Sequence, residues 1–392
     1  MTDAASATDR RIVDRSLDRT ASRLLTSPNR LKLGVFAPNL SGGTGGVSTA
    51  DGPPVMGNWA EARGIAVAAD RAGFEALVPV VRWKGFGGPS GFWDRSFEPF
   101  TWTAALAEAT ESIHIFSSCS VQMVHPVAAA KMGATIDHIA GGRWGLNVVS
   151  GWVQTEFDLF GLPPVSKENR YLYAEEWITV VKRLWDETEE FDFCGDHFQL
   201  KACSSLPKPM SSPCPTIMNA GMSPTGQDFA VRNVDMVFVL LYGEEEVVRE
   251  NIASVRRKAA EKGKEIAVWG TVHVTCRSSE AEIQAFQADF IDARGDTEAA
   301  GRYAATVMGT DSGSMGGLQA DPALVRSLVA SGGNRPLVGT PEQIVAEFEK
   351  LADWGLDGLA LVWPDYEAGL EQYNTDLLPL MRKAGLRAEV QA

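Results

Sequence analysis

Eight times along the chain a short apolar run is followed by a segment of helical periodicity, and this alternation constrains the fold most. The runs are LKLGVFAPN (32–40), EALVPVV (75–81), IHIFSSCSV (113–121), WGLNVVSG (144–151), PTIMNAG (215–221), MVFVLL (236–241), IAVWGTVHVTC (266–276) and LALVW (359–363). Continuous apolar runs of this length read as strands buried on both faces, and strands that alternate with helices build a parallel sheet. Eight repeats predict closure into a single (β/α)₈ TIM barrel with insertions. An open doubly wound sheet is the competing architecture. Against it, no GxGxxG follows an early strand.

Local signals mark the helices. Asn58 and Glu61 form a capping box, Ile65, Ala69 and Ala72 share a face, and Gly73 ends that helix. Residues 170–185 place Ala174, Ile178, Val181 and Trp185 on one stripe. FDFCGDHFQL (191–200) reads as a hairpin turned at Gly195 and Asp196. Thr340, Pro341 and Gln343 open the last barrel helix with a second capping box. Residues 1–30 read as an N-terminal arm, with six arginines among residues 10–30, and residues 31–392 as the barrel domain. The segment 293–337 is rich in Gly, Ser and Asp and reads as an insertion or a mobile lid.

Composition excludes several function classes. The formal charge of −14 repels phosphate backbones, so nucleic acid is not an expected partner. The five cysteines form no CxxC pair, and the five histidines form neither HExxH nor HxH, so no metal site is expected. No stretch of about eighteen uncharged apolar residues suggests a membrane span, and the N-terminus lacks the run of a secretion signal. The expectation is a cytoplasmic protein.

Barrel active sites lie at the C-terminal ends of the strands. There the chain carries Ser117, Ser118, Ser120, Asn147, Ser150, Asn219 and Ser223, with Val81 and Arg82 ending the second strand. A ring of small polar residues in apolar strands suits a polar ligand pocket. No paired carboxylates, GxSxG elbow or Walker loop accompanies it, so a bound cofactor would carry the reactivity. NAGMSPTG (219–226), with Gly221 and Ser223, runs from strand to helix and reads either as a phosphate site or as an ordinary turn capped by Ser223. Arg170–Tyr171 opens a helix where an arginine could clamp a phosphate. RWKGFGGPSGFWD (82–94) could cover a planar ligand or pack as a surface loop.

At these residues the sequence resembles the bacterial luciferase-like flavin monooxygenases. The similarity is greatest to the pyrimidine monooxygenases that open the uracil ring, through KGFGGPSGFWD and ATIDHIAGGRWGLNVVSGW; PNLSGG and NVVSGW are also similar to dimethyl sulfone monooxygenases. The resemblance spans about residues 32 to 386. It implies a (β/α)₈ barrel that binds FMN, reduced by a separate NAD(P)H flavin reductase, at the strand C-termini. Val81 and Arg82 would contact the flavin, Asn147 its ring, and Glu156 would lie close by. Arg170, Tyr171 and Ser223 would hold the phosphate. Ser118 and Asn147 would flank the space where O₂ meets the flavin, stabilising a flavin peroxide at N5 or C4a in a water-poor pocket.

The substrate implied is a uracil-like cyclic amide or related heterocycle. A sulfone or alkanesulfonate is the alternative, and an F420-dependent hydride transfer is a third reading. None of the histidines stands at the strand ends selected above, which weighs against hydride transfer; His125 begins a helix. Ser118 stands where the pyrimidine enzymes carry Thr, and Trp83 and Trp144 where they often carry other apolar residues, which leaves room for a different substrate. Relatives with this barrel imply a homodimer or homotetramer.

Overall fold

A computed structural model of the chain describes residues 22–50, 57–163, 166–221, 223–307 and 321–389. After a one-turn helix α1 (Arg23–Thr26), the first half runs β1 (Lys32–Phe36), α2 (Trp59–Arg71), β2 (Ala76–Val78), α3 (Pro99–Ala109), β3 (His114–Ser120), α4 (Pro126–Ala140) and β4 (Trp144–Val149). Helices α5 (Gln154–Leu159) and α6 (Lys167–Asp186) follow, then the hairpin β5 (Phe191–Cys194) and β6 (Gln199–Cys203). The second half runs β7 (Thr216–Asn219), α7 (Pro224–Asn233), β8 (Met236–Val239), α8 (Glu245–Ala260) and β9 (Ala267–Cys276). It ends with α9 (Glu280–Gln287), α10 (Thr297–Val307), α11 (Pro322–Ser331), β10 (Arg335–Gly339), α12 (Pro341–Asp353), β11 (Gly358–Val362), α13 (Tyr366–Gln372) and α14 (Leu378–Lys383).

The sheet order β1–β2–β3–β4–β7–β8–β9–β11 closes on itself, because β9 pairs with β8 and β11, and β11 pairs with β1, all parallel. An open sheet is thereby excluded, and the fold is a (β/α)₈ barrel. Asn58 caps α2 by accepting from Glu61 N at 3.0 Å, and at α12 the reciprocal capping box is complete, with Thr340 N donating to Gln343 Oε1 at 2.8 Å. A ninth strand, β10, pairs with β9 from Val272 to Cys276, outside the barrel. It begins inside 293–337, where no strand was expected, and runs to Gly339, with α10 and α11 before it. Of that segment, residues 308–320 lie outside the described residues, as do residues 1–21 of the N-terminal arm.

Strand alternation sorts side chains into two cores. Outward residues such as Ile115, Trp144, Leu146, Ile217 and Val272 pack under the helices. The narrow lumen holds Ala76, Val78, Phe116, Met218, Met236, Phe238, Trp269 and Ala360. Its large rings fit because glycines face them: a Cβ at Gly358 would stand 2.3 Å from Trp269, and one at Gly145 would stand 2.4 Å from Phe116. At the N-terminal mouth the described segments 22–30 and 386–388 meet. Leu24 of α1 joins the lumen cluster. Buried Glu75 accepts from Ser27 Oγ (2.7 Å), Asn29 Nδ2 (2.6 Å), Leu33 N (2.7 Å) and Arg387 Nη1 (2.7 Å).

Candidate active site

At the C-terminal mouth β3 and β4 pair with Ser118 opposite Asn147. Both side chains point into the lumen, since Cys119, Leu146 and Val148 on either side belong to the outer core. Asn147 Nδ2 donates to Ser118 Oγ at 2.8 Å, and the Ser118 hydroxyl donates in turn to the carbonyl of Pro79. The one hydroxyl proton of Ser118 is thus spent on the backbone, so Ser118 fixes the Asn147 amide. Asn147 is 7% exposed, and its Oδ1 has no hydrogen-bond partner. An orphaned buried acceptor costs about 1–3 kcal/mol and marks a place where a ligand donor fits.

Arg82 stands beyond Val81 after β2. Its guanidinium is buried, 3.1 Å from Glu156 Oε1, and the same oxygen accepts from Trp83 N at 2.7 Å. Glu156 comes from α5 and reaches back to hold the end of the β2 segment. Burial lowers the Arg82 pKa, and Glu156 opposes that shift. The cation lies 4.8 Å from the ring centre of Trp93 and 5.2 Å from that of Trp152, and its Nε has no partner. A buried planar donor between two indoles suits a flat, oxygen-bearing ligand.

Arg170 ends the first turn of α6, which Ser166 caps, and Tyr171 opens the second. Arg170 Nη1 donates to Gly151 O, just beyond β4, at 2.7 Å. Tyr171 leans the other way, so that a Cβ at Gly226 would stand 2.5 Å from its hydroxyl and 2.9 Å from Gly221. Ser223 caps α7 by accepting from Gly226 N at 3.1 Å. Pro224 has no N–H and that of Gly226 is used, which leaves the Thr225 N–H and the Ser223 O–H as the donors of the turn. The capped turn and the anion site are therefore compatible. Met222 lies outside the described residues.

The structure corrects three expectations. Ser117 and Asn219 do not line the lumen: Ser117 Oγ accepts from Trp144 Nε1 (3.0 Å), and Asn219 Nδ2 donates to Val148 O (2.6 Å) while its Oδ1 accepts from Gly221 N (2.7 Å). Trp144 faces outward against Gly133 and Trp185, so it cannot shape the substrate space. No histidine stands at the selected strand ends, but one stands at the mouth on another strand, β9. His273 follows Trp269 in the inward alternation of β9, is 1% exposed, and sets Nε2 2.5 Å from Gly45 O. That contact places the proton on Nε2, and burial lowers the pKa to about 4, so the ring is neutral at pH 7. Its signal was the inward set Trp269, Thr271, His273, legible from alternation alone. His125 does cap α4, as its sequence suggested.

The glycine-rich loop 82–94 is packed down rather than free. Phe86, Phe92 and Trp93 join Ala299, Ala300 and Ala304 of α10 in a separate buried cluster. Asp296 accepts from Ser90 N (2.8 Å) and Oγ (2.6 Å), and Arg302 Nη1 donates to Phe86 O at 2.9 Å. Three successive carbonyls of the loop after β1 are also gripped, Gly43 by Trp93, Thr44 by Asn334 and Gly45 by His273. Trp83 and Trp152 stay 39% exposed at the rim. Among the described residues no helix is long and apolar enough to cross a membrane, and no His/Cys/Asp/Glu cluster could hold a metal.

The chain is similar to known proteins. A family model described as luciferase-like monooxygenase matches residues 31–358. The pyrimidine monooxygenase RutA of Acinetobacter baylyi is 30% identical over 90% of this chain and 95% of its own length. RutA of a Bradyrhizobium species is 31% identical over 91% and 99%. Among solved structures, a riboflavin lyase holding modified FMN and riboflavin superposes with a TM-score of 0.80 at 21% identity, covering 91% of this chain and 92% of that one. DmoA of Hyphomicrobium sulfonivorans superposes at 0.78 and 20%, covering 92% and 90%. At such identities the two structures establish the shared fold.

Proposed function

This chain belongs to the luciferase-like monooxygenase family and is a flavin-dependent monooxygenase, and on that premise we propose that it uses reduced FMN and O₂ to oxygenate a uracil-like cyclic amide. The observation that carries the reading is the pair of orphaned groups at the mouth, Asn147 Oδ1 and Arg82 Nε. An acceptor and a planar donor, both buried and unmatched, fit the edge of a flavin ring, which offers N–H and C=O together, while the substrate class rests on the relatives. The named relatives act on pyrimidines, and a similar substrate suits this pocket. The flavin would be held by Val81, Arg82, Asn147, Arg170, Tyr171, Gly221 and Ser223, with Glu156 fixing Arg82. When bound and reduced, it supplies the electrons that activate O₂.

The residues have distinct tasks. Asn147 touches the reacting region, where the Nδ2 proton not given to Ser118 steadies developing negative charge and Oδ1 accepts from a ligand N–H, while Ser118 positions the amide. Arg170 and Ser223 bind the phosphate, so that FMN is preferred over riboflavin. The roof of residues 82–94 and α10, part of the segment 293–337, excludes water and protects the activated oxygen from release as hydrogen peroxide. Reduced flavin would arrive from a separate reductase. The test is turnover with FMN, NADH, a generic flavin reductase and ¹⁸O₂, presented with uracil, thymine, dimethyl sulfone and a small alkanesulfonate. Label in a ring-opened pyrimidine is the expected result. Label confined to a sulfur-substrate product would overturn the pyrimidine assignment in favour of the sulfone branch.

A further inference from the structure

Gln122 has no role in the account so far, and its surroundings are unusual. It lies in the turn just after β3, four residues beyond Ser118. Its Nε2 donates to the carbonyl of Ser150 at 2.6 Å. That contact fixes the amide orientation, since the oxygen could not face another carbonyl. The Oε1 is consequently turned toward Gly151, where a Cβ would stand 2.7 Å away, and it is buried with no hydrogen-bond partner. Gly151 has φ +74°, so two independent features demand glycine there. The carbonyl of Gly151 is the acceptor for Arg170. The unmatched Gln122 oxygen therefore lies along the path from Asn147, inside β4, to Arg170, at the start of α6.

Resting on the flavin reading above, we infer that Gln122 accepts a hydrogen bond from a hydroxyl of the flavin's polyol side chain. The ring end is assigned to Asn147 and the phosphate end to Arg170 and Ser223. The group that joins them carries hydroxyls, and a buried carbonyl oxygen with no partner needs such a donor. A neutral amide suits this place, because it binds a hydroxyl without placing a charge between ring and phosphate. Gln122 also ties the β3 turn to the end of β4, so occupancy of its oxygen would steady both walls of the site.

The test measures anaerobic binding of reduced FMN, riboflavin and lumiflavin, the last lacking the side chain, to the wild type and to Gln122→Met. The expected result is a loss of about five- to tenfold for FMN and riboflavin alike, the worth of one hydrogen bond, with lumiflavin unchanged. Unchanged binding of all three, or an equal loss of all three, would overturn the inference. Flavins lacking single side-chain hydroxyls, tested on the unaltered protein, give a reading independent of folding: one of them should lose as much as the variant does. If none does, Gln122 has no such partner. Failure of the wild type to bind any reduced flavin would instead strike the flavin reading itself.

Discussion

At the residue scale the account turns on side chains whose polar atoms are either spent or free. Ser118 is spent, so Ser118→Ala should reduce coupling of O₂ to product by freeing the Asn147 amide to turn. Ser118→Thr, which keeps the hydroxyl, should retain most of it; equal losses in the two variants, read as product per flavin oxidised, would deny Ser118 a positioning role. Arg170→Ala should weaken FMN about 10- to 100-fold, as loss of a charge-assisted bond does, and leave riboflavin nearly untouched. Identical losses would place the phosphate elsewhere. His273 makes a pH prediction. Its folded pKa of about 4 lies below the ordinary 6.5, so the unfolded chain takes up a proton that the folded chain refuses. Stability should fall as pH drops from about 6.5 to about 4, by about 3 kcal/mol in full. His273→Gln keeps a donor for Gly45 and should flatten that part of the melting-temperature profile; an unchanged slope would contradict it.

At the element scale, α10 and the 82–94 loop act as one roof. Asp296 caps α10 by accepting from Ala299 N at 3.0 Å and holds Ser90, while Gly88, at φ +74°, leaves the room its carboxylate needs. Asp296→Ala should cost about 1 kcal/mol of helix capping, expose 84–92 to proteolysis and raise the share of O₂ released as hydrogen peroxide several-fold. Unaltered peroxide release would separate the roof from water exclusion. These elements also mark what could be read beforehand. The eight barrel strands were legible because each is a continuous apolar run between turn signals. RPLVG (335–339) escaped because a short strand with a proline, outside the barrel, has no such run. The site was half legible. Ser118 and Asn147 stood out as polar residues at strand ends, but composition could not say which way Ser117 and Asn219 faced. Contacts of Glu156 and Gln122 with backbone far along the chain leave no periodic trace.

At the scale of the whole molecule, the two ends of the barrel divide stability from function. The N-terminal mouth carries the buried pair Glu75 and Arg387, 0% and 4% exposed in their side chains, which ties residues 27–33 to 387. Arg387→Met would leave a buried carboxylate without its cation and should cost about 3 kcal/mol in denaturation experiments, with flavin affinity unchanged. A matching loss of flavin affinity would show that the two ends are not independent. On the proposed function the C-terminal mouth would carry the chemistry, and the claim that matters most is that Asn147 serves the oxygen step rather than flavin capture. The most direct test is a single turnover with pre-reduced FMN and ¹⁸O₂ in the presence of the labelled substrate class, comparing the wild type with Asn147→Ala. The account predicts that labelled product falls about a hundredfold while hydrogen peroxide rises to match the flavin oxidised, and that the FMN dissociation constant moves less than about tenfold. Retained product, or a loss of FMN binding as large as the loss of product, would contradict it.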